Sequence, residues 1–92
     1  MSAHATADAI ALGVRQLANE HGLPNRFSAE EIGLAAGIQT MTVGRYLSAP
    51  RSYLGTISSD ALEKQKLRFV AYGPGTIFGD RRKYLSVEEI TP

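Results

Sequence analysis

Between residues 5 and 21 the apolar positions fall in helical steps. Ile10, Val14, Leu17 and Ala18 stand three or four residues apart and share one helix face. Thr6 followed by Asp8 suits the start of this helix, and Gly22 with Pro24 behind it ends it. A second helical pattern covers 28–36. Ser28 and Glu31 have capping-box spacing, and Phe27 stands where a hydrophobic staple onto Ile32 would begin. Gly37 closes this helix and Ile38 is a lone apolar residue in the turn. A third helix is predicted from Thr40 to Ser48, with Val43, Tyr46 and Leu47 inward and Pro50 beyond its end. A short fourth helix is predicted over 58–66, capped by Ser58 or Ser59 and supported by Glu63.

The period then changes from helix to strand. Leu67, Phe69 and Ala71 alternate with Arg68, Val70 and Tyr72, which predicts a strand. Pro74 and Gly75 suit the two central places of a type II turn. Residues 76–78 form a short strand pattern, Gly79–Asp80 a second turn and 81–90 a last strand. No repeat, linker or low-complexity segment interrupts the chain. The fold class expected is α+β: one domain, residues 1–92, of three to four helices followed by a β-hairpin or small antiparallel sheet.

Composition narrows the chemistry. A chain of 92 residues buries one modest core and has little room for an enclosed catalytic cleft. An apolar fraction of 43% with 21% charged residues fits an ordinary globular protein. No apolar run reaches the length of a membrane span, and the start lacks the basic-then-apolar pattern of a signal peptide. With no cysteine, disulfides and cysteine-based zinc fingers are excluded. The expectation is a cytoplasmic protein without membrane association. His4 and His21 lack carboxylate or cysteine company at ligand spacing, so neither metal nor cofactor is expected. The glycines of 73–79 lack the lysine of a phosphate loop, and no serine or histidine constellation suits nucleophilic catalysis. An enzyme is therefore not expected.

Charge changes the picture more than its total of +1 suggests. Residues 1–38 carry Arg15 and Arg26 against Asp8, Glu20, Glu30 and Glu31. Residues 39–83 carry Arg45, Arg51, Lys64, Lys66, Arg68, Arg81, Arg82 and Lys83 against only Asp60, Glu63 and Asp80. An acidic first part and a basic second part are what a one-sided polyanion binder shows, and a solvated surface shows them too.

Residues 29–48, "AEEIGLAAGIQTMTVGRYLS", sharpen this reading. Two helices crossing over a tight turn need a small residue at their contact, which Gly33 supplies. The turn needs a residue that tolerates a left-handed backbone, which Gly37 supplies. Ile32, Ala36, Ile38, Val43 and Tyr46 make the small core between the helices. The string Ile32–Gly33, Ala36–Gly37, then Thr42–Val43–Gly44–Arg45 resembles the helix-turn-helix of lactose-repressor-type regulators, with Gly33 where alanine is usual. The β-hairpin expected at 67–90 resembles the wing of winged helix-turn-helix regulators. The connection between the third helix and the first strand is longer than is usual there.

The resemblance implies sequence-specific binding of duplex DNA and transcriptional regulation. The expected mode is repression by a homodimer on a near-palindromic operator. It implies a recognition helix that presents Gln39, Thr40, Met41, Thr42, Gly44, Arg45 and Ser48, with glutamine suited to adenine and arginine to guanine. Arg51, Arg81, Arg82 and Lys83 are the expected backbone contacts, with the wing tip at 73–75 or at 79–82. Gly44 would let the helix backbone lie close to DNA. Candidate dimer residues are the apolar part of helix 1 with Tyr53, Leu54 and Ile57. Two alternatives stand beside this: a protein-interaction module using the apolar hairpin, and a DNA-binding accessory factor in replication, partition or recombination.

Overall fold

A computed structural model describes residues 2–75 and 82–91. It is an α+β chain: α1 (Ala3–His21), β1 (Asn25–Ser28), α2 (Ala29–Ala36), α3 (Thr40–Leu47), α4 (Tyr53–Lys64), β2 (Leu67–Pro74) and β3 (Lys83–Glu89). The strands form one antiparallel sheet in the order β1-β3-β2. The strands therefore do not all follow the helices, as the sequence pattern suggested. The first lies between α1 and α2 and pairs with the last, Phe27 opposite Leu85. Four residues give only two side chains to each face, too little alternation to read as a strand.

Helix α1 begins earlier than expected. Ser2, not Thr6, is its N-cap and accepts from the Ala5 N–H at 3.1 Å, while the Thr6 hydroxyl donates to the Ser2 carbonyl. Its predicted face is buried, and Ala7, Ala11 and Gly13 join it. The helix therefore lies between α2 and α4 rather than on a single-sided core. Helix α2 has the capping box: the Glu31 N–H donates to Ser28 Oγ and the Ser28 N–H to Glu31 Oε1, at 3.1 and 3.0 Å. Phe27 and Ile32 both lie in the core.

Helix α4 corrects a second expectation. It starts at Tyr53, capped by Ser52, whose Oγ accepts from the Gly55 N–H at 3.1 Å. Ser58 is not a cap but an interior residue, with its hydroxyl donating to the Leu54 carbonyl at 2.7 Å. The buried face of α4 includes Gly55, Ser58, Ala61 and Leu62. Small residues carry most of it, which hides the helical period from any count of large apolar side chains. At its C-terminal end the Arg15 guanidinium donates to the Gln65 carbonyl at 3.0 Å. Lys66 takes a left-handed backbone (φ 62°) before β2 begins.

Strand β2 carries the largest local departure. Phe69 pairs with Val87, but Ala71 pairs with Ser86, so Val70 is a bulge. One extra residue reverses the alternation beyond it. Ala71 is exposed and Tyr72, opposite Leu85, packs against the core. Pro74 and Gly75 do not turn the chain. Pro74 pairs with Lys83, and the Gly75 N–H donates to the Arg82 carbonyl at 3.0 Å. The 73–75 turn is thus replaced by paired strand. The strand expected at 76–78, the turn at Gly79–Asp80 and Arg81 lie outside the described residues. Around this frame Ile10, Val14, Phe27, Ile32, Val43, Leu47, Leu62, Leu67, Leu85 and Val87 form one interior. Among the described residues no helix is long and apolar enough to cross a membrane.

Candidate functional site

The turn between α2 and α3 is built on Gly33 and Gly37. Gly37 has φ 71° and ψ 33°, the left-handed region that costs glycine nothing. Its N–H and that of Ile38 both reach the Gly33 carbonyl, the latter at 2.9 Å. A Cβ on Gly33 would stand 2.6 Å from the Ile38 oxygen. The small residue thus serves the turn backbone rather than a crossing of helix on helix. Ala36 also differs from expectation. A Cβ on Gly13 would meet it at 3.0 Å, so Ala36 packs on α1. Ile32, Val43 and Tyr46 are buried together, with Ile38 half-buried against them.

This turn sets α3 with one side in the core and the other in water. Val43, Tyr46 and Leu47 are the buried side. Gln39, Thr40, Met41, Arg45 and Ser48 are exposed, and Thr42 and Gly44 partly so. Met41 is 78% exposed, unusual for a large apolar side chain on a helix that also has a buried face. No acidic residue lies on α3. Gln39 is the N-cap by position, but its side chain makes no capping hydrogen bond. Glu30 lines the open groove beside that end, with Gly33, Leu34, Gly37, Ile38, Gln39 and Thr40. The groove end of α3 therefore carries a carboxylate, and the cations lie elsewhere. Arg45 is on the helix and Arg51 on the exposed link to α4.

The cations expected at the wing separate. On β3 the pleat puts Lys83 on the face of Leu85 and Val87, the one turned to the helices. The Arg82 guanidinium lies 5.8 Å from the Tyr84 ring centre, and Arg26 of β1 lies 4.9 Å from the same ring. Tyr84 is on the opposite face of the sheet by the same alternation. Lys83 therefore shares the side of α3, and Arg82 is drawn to the far side. On that side Arg68 is held by Glu88 at 3.0 Å across the strands.

Comparison with protein-family models, with curated proteins and with solved structures gives no match to this chain. The site's chemistry therefore rests on its own residues.

Sequence reasoning missed Tyr72. Its hydroxyl lies 3.4 Å from where a Cβ on Gly44 would be, so β2 rests on the flank of α3 at that glycine. Burial pushes the Tyr72 phenol above the usual tyrosine value of 10.0. The strand alternation alone sends Tyr72 outward, and only the bulge at Val70 brings it to α3. Of the expected dimer residues, Ile57 is interior and Leu54 half-buried on the core. Tyr53 is 62% exposed, with its hydroxyl 3.2 Å from His4 Nε2. Leu12 is an exposed large apolar residue of α1. Among the described residues no group of three His, Asp or Glu stands close enough to hold a metal ion.

Proposed function

We propose that this chain is a winged helix-turn-helix protein that binds duplex DNA through α3. The observation that carries the reading is the exposed side of α3. It is a free, acid-free helix surface with Gln39, Thr40, Met41, Arg45 and Ser48 outward, and its inner side is fully occupied by the core. A helix of this kind fits the major groove, where Gln39 pairs with adenine and Arg45 with guanine. The helix order, with a strand between α1 and α2 and a closing β2–β3 ladder, supports the winged form. Arg51 and Lys83 flank α3 as phosphate contacts, with Arg82 on the outer side of the hairpin. One module of this size makes few base contacts, so a homodimer on a near-palindromic site is the working assembly. Occlusion of a promoter then represses transcription.

Binding to a random pool of labelled duplexes, followed by selection, tests this. Expected are retention at low salt that falls steeply as salt rises, and enrichment of a motif with two half-sites. No retention at low salt overturns the reading. One observation favours a protein-interaction module instead: Leu34 is 86% exposed on α2, beside the same groove. Enrichment of a discrete DNA motif decides against that second reading.

A further inference from the structure

We infer that Tyr72 supplies the α3 surface with a hydroxyl in place of the side chain that Gly44 lacks, and that this hydroxyl donates to a phosphate oxygen of bound duplex. The inference rests on the DNA reading above and adds a residue outside the helix to its contact set. Three observations carry it.

The first is position. The hydroxyl lies in van der Waals contact with the place of a Cβ at 44. On a helix the neighbours of position 44 are those three and four residues away, here Thr40, Met41, Leu47 and Ser48. Thr40, Met41 and Ser48 are exposed. Tyr72 thus ends on the shoulder of the exposed face, between α3 and the hairpin. A helix lying in the major groove has the groove wall, and hence phosphate, beside that shoulder.

The second is satisfaction. The Tyr72 hydroxyl makes no hydrogen bond with any described residue. Among the described residues no buried side-chain oxygen lacks a partner, so this oxygen reaches solvent. Its ring is packed on the core while its polar tip is open, an arrangement that fixes a donor at little entropic cost. Because burial favours the neutral phenol, the proton that the hydrogen bond needs is present throughout the physiological range.

The third is construction. Without the Val70 bulge, Tyr72 would point to the other face of the sheet. Any side chain beyond Cβ at 44 would cover the hydroxyl. The bulge and the glycine are thus two independent departures from regular structure that meet at one atom. The earlier idea, that Gly44 only lets the helix backbone approach DNA, assigns no role to Tyr72.

The test uses the full chain and a labelled random-sequence duplex, titrated by anisotropy over a range of salt. Tyr72→Phe keeps the ring and removes only the hydroxyl. The expected result is about tenfold weaker binding with the salt slope unchanged, because a neutral donor displaces no counterion. Lys83→Ala in the same assay lowers the slope by about one. Gly44→Leu should weaken wild-type binding but add little to the loss in Tyr72→Phe, since its side chain beyond Cβ covers the hydroxyl. Equal affinity of Tyr72→Phe and wild type overturns the inference and leaves the DNA reading intact. Additive losses in the double variant overturn it in favour of simple backbone approach. No binding by wild type at low salt overturns both.

Discussion

Gly55→Ala is expected to be the most damaging single-methyl change in this chain. Gly55 is buried in the first turn of α4. A Cβ there would stand 2.6 Å from Pro50 Cα and 2.8 Å from the Ala49 carbonyl carbon, and would overlap the Ala49 oxygen. Ordinary carbon contacts are about 3.5–4.0 Å, so the Ala49–Pro50 backbone would have to retreat by about 1 Å. That backbone is pinned. The Ala49 oxygen accepts from the Ser52 N–H at 3.0 Å and from Ser52 Oγ at 2.6 Å, and Ser52 Oγ accepts in turn from Gly55. Overpacking of this kind costs about 1–3 kcal/mol, and strained hydrogen bonds add about 1 kcal/mol more. Alanine returns about 1 kcal/mol of helix propensity. The net loss is about 2 kcal/mol, or a fall in Tm of roughly 8–16 °C for a domain of this size. Urea unfolding followed by far-ultraviolet circular dichroism measures it. Gly44→Ala is the internal control, because its Cβ meets only the Tyr72 hydroxyl at 3.4 Å, an ordinary contact. That variant should gain about 1 kcal/mol. If Gly55→Ala is as stable as wild type, the α3–α4 link does not rest on α4 and the reasoning fails.

Ser28→Ala removes the Ser28 Oγ acceptor of the α2 capping box, leaving the backbone bond from the Ser28 N–H to Glu31, and should cost about 1 kcal/mol in the same unfolding assay; an unchanged midpoint would count against the cap. Arg45→Ala should weaken duplex binding and relax sequence preference, whereas Arg51→Ala should weaken binding to all sequences alike, read by titration against a selected and a scrambled duplex. Tyr72 is raised above 10.0 by burial, so its contribution to stability is whole where the unfolded phenol is still protonated and is lost as pH rises through its folded value. Wild-type stability should therefore fall more steeply above pH 10.0 than that of Tyr72→Phe, measured by urea unfolding along an alkaline series.

The helices that could be read from the sequence are those with local signatures. Ser28 and Glu31 announced α2, Gly37 announced its end, and the spacing of Val43, Tyr46 and Leu47 announced the inner side of α3. Each signal lies within one turn of the feature it specifies. What was illegible is non-local or carried by small residues. Strand β1 exists because Phe27 meets Leu85, far away in the chain. Helix α4 buries Gly55, Ser58 and Ala61, which no hydrophobic count selects. The bulge at Val70 leaves no mark in a pattern that alternates well without it, so the pattern does not reveal that Tyr72 lies beside α3. The exposed residues of α3 were legible, because exposure follows once the buried three are known. The split of Arg82 from Lys83 was not, because it depends on which face β3 turns to the helices and on the Tyr84 ring two residues along the same strand.

The supports of α3 lie outside its exposed face. At its start the Gly33 carbonyl holds the turn through Gly37 and Ile38. At its end the Ala49–Ser52 link is seated on Gly55 of α4. On its flank Tyr72 rests at Gly44, and beneath it Val43, Tyr46 and Leu47 enter the core. Gln39, Thr40, Met41, Arg45 and Ser48 take no part in these contacts and make no side-chain hydrogen bond with the described residues. Folding therefore places little constraint on their identities. A surface unconstrained by the fold is what a reading helix requires, since sequence preference can then change without loss of stability. The corollary is quantitative. Substitutions among these five residues should move unfolding free energy by less than about 0.5 kcal/mol each, as surface positions do. Thr40→Ala or Met41→Gln destabilising the chain by more than about 1 kcal/mol would mean that this face packs against something, and α3 would no longer qualify as a free reading surface.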